Sequence, residues 1–232
     1  MRTQQNTATS IQSLSAEIEA RLKTLPSLKT EPVRAVRREF SRRVAKAPAA
    51  DVVRLALLLL RNTSSSPRWF GYELIFHHRE ALRSLRIQHL EQLGKGIASW
   101  EAVDTFAGYL SGPAWRERQV SDKEIIRWGR SSDRWWRRAA LVSTVPLNRK
   151  ALGGTGDTKR TLMVCRLLVG DRDDMVVKAL SWALRELTKH DRKAVEEFVR
   201  EYEDALAALV KREVRCKLET GLKNARKKAR PG

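Results

Sequence analysis

At 232 residues and 42% hydrophobic, the chain is long enough to bury a core, as one domain or one continuous array. A formal charge of +19 and a pI near 10.7 cost self-repulsion and point to a polyanionic partner, nucleic acid first and an anionic membrane surface second. No apolar run approaches the roughly 20 residues of a membrane span, and the polar stretch from Arg2 to Ser10 has no apolar core of a secretory signal, so neither is expected.

In chain order, Ile11, Leu14, Ile18 and Leu22 mark an amphipathic first helix that closes before Pro26. Pro32 opens a second, with Val33, Val36, Phe40 and Val44 inward and Arg34, Arg37, Arg38, Arg42 and Arg43 on its other face. Some of these arginines are candidates for phosphate contact. Val52 to Leu60 is nearly all apolar and reads as a helix buried on several sides. A cap-and-turn signal at Asn62–Pro67 precedes a helix from Trp69 to His78, followed by Leu82 and Leu85. Leu90 and Leu93 belong to a short helix ending at Gly94 or Gly96.

Ser99 is a good N-cap, and Trp100 and Asp104 stand i,i+4 on the helix it opens, so both share one face while Val103 and Phe106 anchor the other. This helix is expected to run to about Leu110 and stop at Ser111-Gly112-Pro113. Ser121-Asp122-Lys123-Glu124 is a capping box for the helix of Ile125, Ile126 and Trp128. Ser131-Ser132-Asp133 caps the next, which holds Trp135, Trp136, Arg137, Arg138, Ala139 and Ala140. Pro146 to Asp157, with Gly153, Gly154 and Gly156, reads as a loop insert. Helices follow over Thr161–Val169, Asp174–Lys189, Arg192–Leu209 and Lys211–Leu222. Residues 1–222 are expected to form one domain, ahead of a basic tail over 223–232 (Lys223, Arg226, Lys227, Lys228, Arg230).

Sparse glycine and proline between periodic segments, with no alternating strand-like runs, make the fold all-α. An apolar helix, a Ser/Asp turn and a helix rich in Trp, Ala and branched residues recur about every 35–40 residues, within the range of helical-pair repeats. Trp69-Phe70, Trp100-Val103, Trp135-Trp136 and Val176-Val177 hold comparable places. The expected architecture is a HEAT-like helical-repeat solenoid, an α-α superhelix with a concave basic face for DNA.

The chemistry-bearing residues are few. No Ser-His-Asp order, glycine-rich phosphate loop or metal box is present, so nucleophilic, phosphoryl-transfer and metal-hydrolase chemistries lack their parts. Cys165 and Cys216 are far apart and suit a reducing cytoplasm rather than a disulfide framework. What stands out is Trp100 with Asp104, Arg138 in Trp136–Ala140, and Trp182 in Lys178–Glu186. Taken singly, each also fits packing or a surface ion pair, and Trp69, Trp115, Trp128, Trp135 and Trp136 read as packing or surface aromatics.

The segment from about Ser99 to Lys189 resembles the AlkD-type DNA alkylation repair family, HEAT-like-repeat DNA glycosylases that release alkylated purines. The resemblance rests on Ser99-Trp100 with Val103-Asp104, on Ser132-Asp133 followed by Arg138-Ala139-Ala140, and on Lys178-Ala179, Ser181-Trp182 and Leu184-Arg185-Glu186, with a weaker echo in Lys211-Arg212-Glu213. The chain departs from that family in having Ser99 where an additional tryptophan is often found. The resemblance implies that Asp104 is the catalytic carboxylate, that Trp100 and Trp182 flank the lesion deoxyribose, and that Arg138 binds phosphate, with Arg137, Lys178, Arg185, Lys211 and Arg212 as further DNA contacts. It implies a monomer acting on double-stranded DNA with alkylated bases, needing no metal or organic cofactor and no membrane. The rival readings are a non-catalytic HEAT-like scaffold for damaged or branched DNA and an adaptor for an acidic protein partner.

Overall fold

The computed structural model describes residues 2–61 and 67–224, with side chains from Ile11 onward. The turn residues Asn62–Ser66 and the tail residues Arg226, Lys227, Lys228 and Arg230 lie outside the described residues. Among the described residues there is no strand; the fold is all-α, built from packed helical pairs. Two compact units divide the chain, Met1–Val120 and Ser121–Gly232.

In the first unit, α1 (Arg2–Lys23), α3 (Ala49–Arg61) and α6 (Ile87–Gly94) pack in sequence as one layer, with α3 also against α5 (Arg79–Ser84). The second layer is a row in which α2 (Thr30–Arg43) packs on α4 (Arg68–Phe76), and α4 on α7 (Trp100–Phe106). The layers close on the apolar stripes read from the sequence: Ile11, Ile18 and Leu22 from α1, Val33, Val36 and Phe40 from α2, Val52, Leu55, Ala56 and Leu59 from α3 are all buried. Gly71 sets the closest approach, since a Cβ there would stand 3.3 Å from the Ala56 carbonyl oxygen of α3. Arg37 departs from the expected solvent face of α2: it is buried, because its partner Glu73 is buried on α4.

The chain does not stop at Ser111-Gly112-Pro113. It stays helical through a wide π turn at Ala107–Ser111 into α8 (Gly112–Arg116). Pro113 has no amide hydrogen and its ring crowds the carbonyl four residues earlier, so a regular helix cannot pass through it unstrained. The π turn relieves this by letting the Gly112 amide reach back five residues to the Ala107 carbonyl. Tertiary burial holds the continuation in place: Leu110, Ala114 and Trp115 are fully buried, and an indole contributes several kcal/mol when removed from water, about 25 cal/mol per Å² over ~200 Å².

In the second unit, α9 (Asp122–Gly129) and α12 (Thr158–Leu167) back a row formed by α10 (Arg134–Val142), α13 (Asp174–Leu187) and α15 (Ala208–Thr220), with α14 (Arg192–Glu201) against α13 and α15. The capping box is formed as expected, the Ser121 amide donating to Glu124 Oε2 at 2.5 Å. Asp133, Asp157, Asp173 and Asp191 each accept an amide of the helix they open. The penultimate helix is shorter than its pattern: α14 ends at Glu201 rather than near Leu209, and a turn carries the chain to α15.

The Pro146–Asp157 insert is more ordered than its composition implies. Its start is the helical turn α11 (Val145–Asn148), followed by a 3-10 turn at Lys150–Leu152. The fully buried Asn148 ties the rest down, donating to Thr161 Oγ1 at 2.8 Å and accepting from the Asp157 amide at 3.0 Å. Gly154 is required by space, because a Cβ there would meet the Pro146 oxygen at 2.6 Å and the Asn148 nitrogen at 2.7 Å, both backbone atoms. Gly154→Ala is therefore expected to destabilise the protein by about 1–3 kcal/mol, read as a lower urea midpoint; an unchanged midpoint would show that this segment yields freely.

Candidate functional site

The helix row of the first unit presents its N-terminal ends on one side, and an open cleft of about 560 Å³ lies there. Its walls come from the start of α2 (Leu28, Thr30, Arg34), of α4 (Pro67, Arg68, Trp69, Glu73) and of α7 (Ser99 to Ala102, Asp104, Thr105). Helix starts carry unsatisfied amides and the positive end of the macrodipole, so such a wall favours negative charge even before side chains are counted.

α7 supplies the pair singled out by sequence. Ser99 accepts the Ala102 amide at 3.3 Å and fixes where the helix begins. Val103 and Phe106 are fully buried, and Phe106 lies 5.8 Å from Tyr72 of α4, centroid to centroid, so the rotation of α7 is locked. The opposite face must then look into the cleft. Trp100 is 53% exposed, one of the few large apolar side chains left open to solvent, and half-buried Asp104 lies one turn further along the same wall.

Two arginines on neighbouring helices are held rigidly at the cleft. Arg68 donates through Nη2 to the Leu93 and Lys95 carbonyls at 3.0 and 2.6 Å and through Nε to the Tyr72 hydroxyl at 3.1 Å. Arg34 donates through Nε and Nη2 to Glu73 Oε1 at 2.9 and 2.7 Å, while Arg37 Nε donates to Glu73 Oε2 at 3.1 Å. These bonds raise the pKa of Arg34 above its usual value. Its guanidinium also sits over the indole of Trp69, 5.6 Å from the ring centroid. The sequence pattern reads Trp69 as a packing or surface aromatic, and the structure puts it in the cleft beside Trp100 and Asp104. The signal that could have found it is the repeat itself, since Trp69 and Trp100 hold matching places at the starts of adjacent row helices.

The remaining candidates belong to the second unit. Arg138 is buried on α10 and donates through Nη1 to the Met175 carbonyl at the start of α13. Arg137 bridges the two preceding turns, bonding Asp171 Oδ2 at 2.7 Å and the Ser131 and Ser132 carbonyls at 3.1 and 2.8 Å. Trp182 is half-buried on α13. One turn along, Arg185 donates to Ser181 Oγ at 3.2 Å and lies 3.5 Å from Glu213 Oε2, and burial lowers its pKa. Glu213, the acid of Lys211-Arg212-Glu213, is buried and also accepts from Ser181 Oγ at 2.6 Å, so that fragment stitches α15 to α13. Lys211 bonds the Glu203 carbonyl at 3.1 Å, Lys178 pairs with Asp174 at 2.6 Å, and Arg212 is exposed. The structure thus gathers Trp100, Asp104 and Trp69 in the first unit, and in the second it ties Arg137, Arg138 and Arg185 to named protein partners.

Among the described residues, no cluster of three or more His, Cys, Asp or Glu is arranged to hold a metal ion, and no helix is long and apolar enough to cross a membrane.

Layered helical pairs, with the row helices opening on a cleft in which two arginines are fixed, define a HEAT-like helical-repeat protein. The chain belongs to the DNA alkylation repair enzyme family, whose model matches residues 15–218. No curated protein matches the chain. Membership makes it an enzyme of alkylated-DNA repair, and its excess of cations over anions accords with a polyanionic substrate.

Proposed function

We propose that the protein is a DNA glycosylase that hydrolyses the N-glycosidic bond of cationic N3- or N7-alkylated purines in duplex DNA, acting as a monomer in the cytoplasm without a cofactor. One observation carries this reading: a half-exposed indole, Trp100, and a carboxylate one helical turn along, Asp104, share a wall of a cleft that the fixed arginines Arg34 and Arg68 also line. A site built only to grip phosphates has no use for a carboxylate there, because the like charges repel.

A purine alkylated at N3 or N7 already bears positive charge, so its bond to the sugar is weakened and no strong acid is needed to protonate the leaving base. As that bond breaks, positive charge develops on the deoxyribose, in an oxocarbenium-like state. Asp104 stabilises this charge and orients the water that attacks the sugar carbon. The Trp100 face favours the same charge by a cation–π contact of about 0.5–2 kcal/mol. The resemblance assigns phosphate contact to Arg138 and a sugar contact to Trp182, and their alanine variants test those roles one at a time.

The test is release of the modified base from a duplex carrying one N7-methylguanine, with free base and abasic product both measured. Tight binding with no release would select the scaffold reading. In the same system, log Kd is expected to vary steeply with log salt concentration, with a slope of magnitude about 0.9 per phosphate neutralised; an affinity indifferent to salt would favour a protein partner.

A further inference from the structure

We infer that Trp69 is a second recognition surface of the Asp104 cleft, a substrate-binding residue that stacks an uncharged nucleobase in the ground-state complex. The inference rests on the glycosylase reading of that cleft and extends it to a residue with a different task from Trp100.

Placement is the first argument. Trp69 and Trp100 stand at the starts of α4 and α7, adjacent helices of one row, and both line the cleft that contains Asp104. Rigidity is the second. The Arg34 guanidinium lies 5.6 Å from the Trp69 ring centroid and is bonded to Glu73 Oε1 at 2.7 and 2.9 Å, and Glu73 is itself buried. The indole is therefore braced by a chain of charged contacts that ends in the core, and little side-chain entropy is left to lose on binding.

Charge separates its role from that of Trp100. The π-system of Trp69 already faces a cation that Glu73 keeps in place, so a further positive group is poorly received there, whether an alkylpurinium or a sugar turning cationic. A neutral base is well received, since stacking needs only a π-face and is largely indifferent to sequence. Trp69 thus acts on binding, before charge develops, and Asp104 acts on the transition state.

The experiment follows single-turnover release of 7-methylguanine from a defined duplex as enzyme concentration is varied, for wild type, Trp69→Ala and Trp69→Phe. Trp69→Ala is expected to raise the half-saturating concentration about tenfold, the lower part of the range for losing one base–aromatic stack. The loss falls on that concentration rather than on the limiting rate, and Trp69→Phe restores most of the affinity because it keeps a flat ring. An unchanged half-saturating concentration in Trp69→Ala, a loss confined to the limiting rate, or a Phe variant no better than Ala overturns the inference. Direct binding of the same duplex by Asp104→Asn, with and without Trp69→Ala, reads the stacking loss with no turnover required. A tenfold loss there, alongside a wild type that releases no base, sinks the glycosylase reading and leaves Trp69 as a base-stacking residue. No loss there sinks the Trp69 inference alone.

Discussion

Asp104→Asn is expected to release 7-methylguanine about 10²–10³ times more slowly than wild type, a loss of ~3–4 kcal/mol of transition-state stabilisation. Asparagine keeps the size and planarity of the side chain while removing its charge, so the cleft around Trp100 should be undisturbed. Duplex affinity should be no weaker than wild type, because a negative group among phosphates is lost. The two readouts together give the prediction its force: a slow variant that also binds poorly would indicate damage to the cleft, and a variant with near-normal release would remove Asp104 from the chemistry. Single-turnover rates with enzyme in excess keep product release out of the comparison.

The second large effect is on stability. Glu73→Ala is expected to destabilise the protein by about 3–5 kcal/mol, because it removes the acid that, among the described residues, is bonded to the buried Arg37 guanidinium and leaves that charge without this compensation. Arg34 is 38% exposed and can turn to water once released, so it contributes less to the loss. Since folded proteins are stable by only about 5–15 kcal/mol, the variant would be near the limit of folding. Pairing Glu73→Leu with Arg37→Met should recover much of the loss, since replacing both members by apolar groups of similar volume is often neutral or better. Urea unfolding of the single and double variants supplies the check, and a Glu73→Ala midpoint close to wild type would show that Arg37 reaches solvent.

Helix starts were legible in the sequence because their signals are local. Ser99, Ser121 with Glu124, and Asp133 are caps whose partners lie within three residues, and each begins its helix where expected. Helix ends were less legible. The Gly112-Pro113 stop is overridden by the burial of Trp115, and the glycine-rich insert is ordered by Asn148, neither of which a local pattern contains. Charged faces misled in one place: Arg37 shares its helix with solvent-facing arginines, and only the fold brings it to Glu73, 36 positions along the chain. The Trp100–Asp104 pair could be read from i,i+4 spacing, whereas Trp69 was masked by Phe70, Tyr72, Leu74 and Ile75 around it, all core residues.

The wide turn at Ala107–Ser111 has a geometric consequence for the carboxylate. Asp104 and Trp115 are eleven positions apart, about three turns of an ordinary helix, which would aim both side chains in nearly the same direction. One needs the cleft and the other needs the interior. The additional residue accommodated in the π turn shifts the angular phase by about 100°, so a single continuous rod serves two directions. A regular helix carrying the same eleven positions would set the indole and the carboxylate competing for the same side.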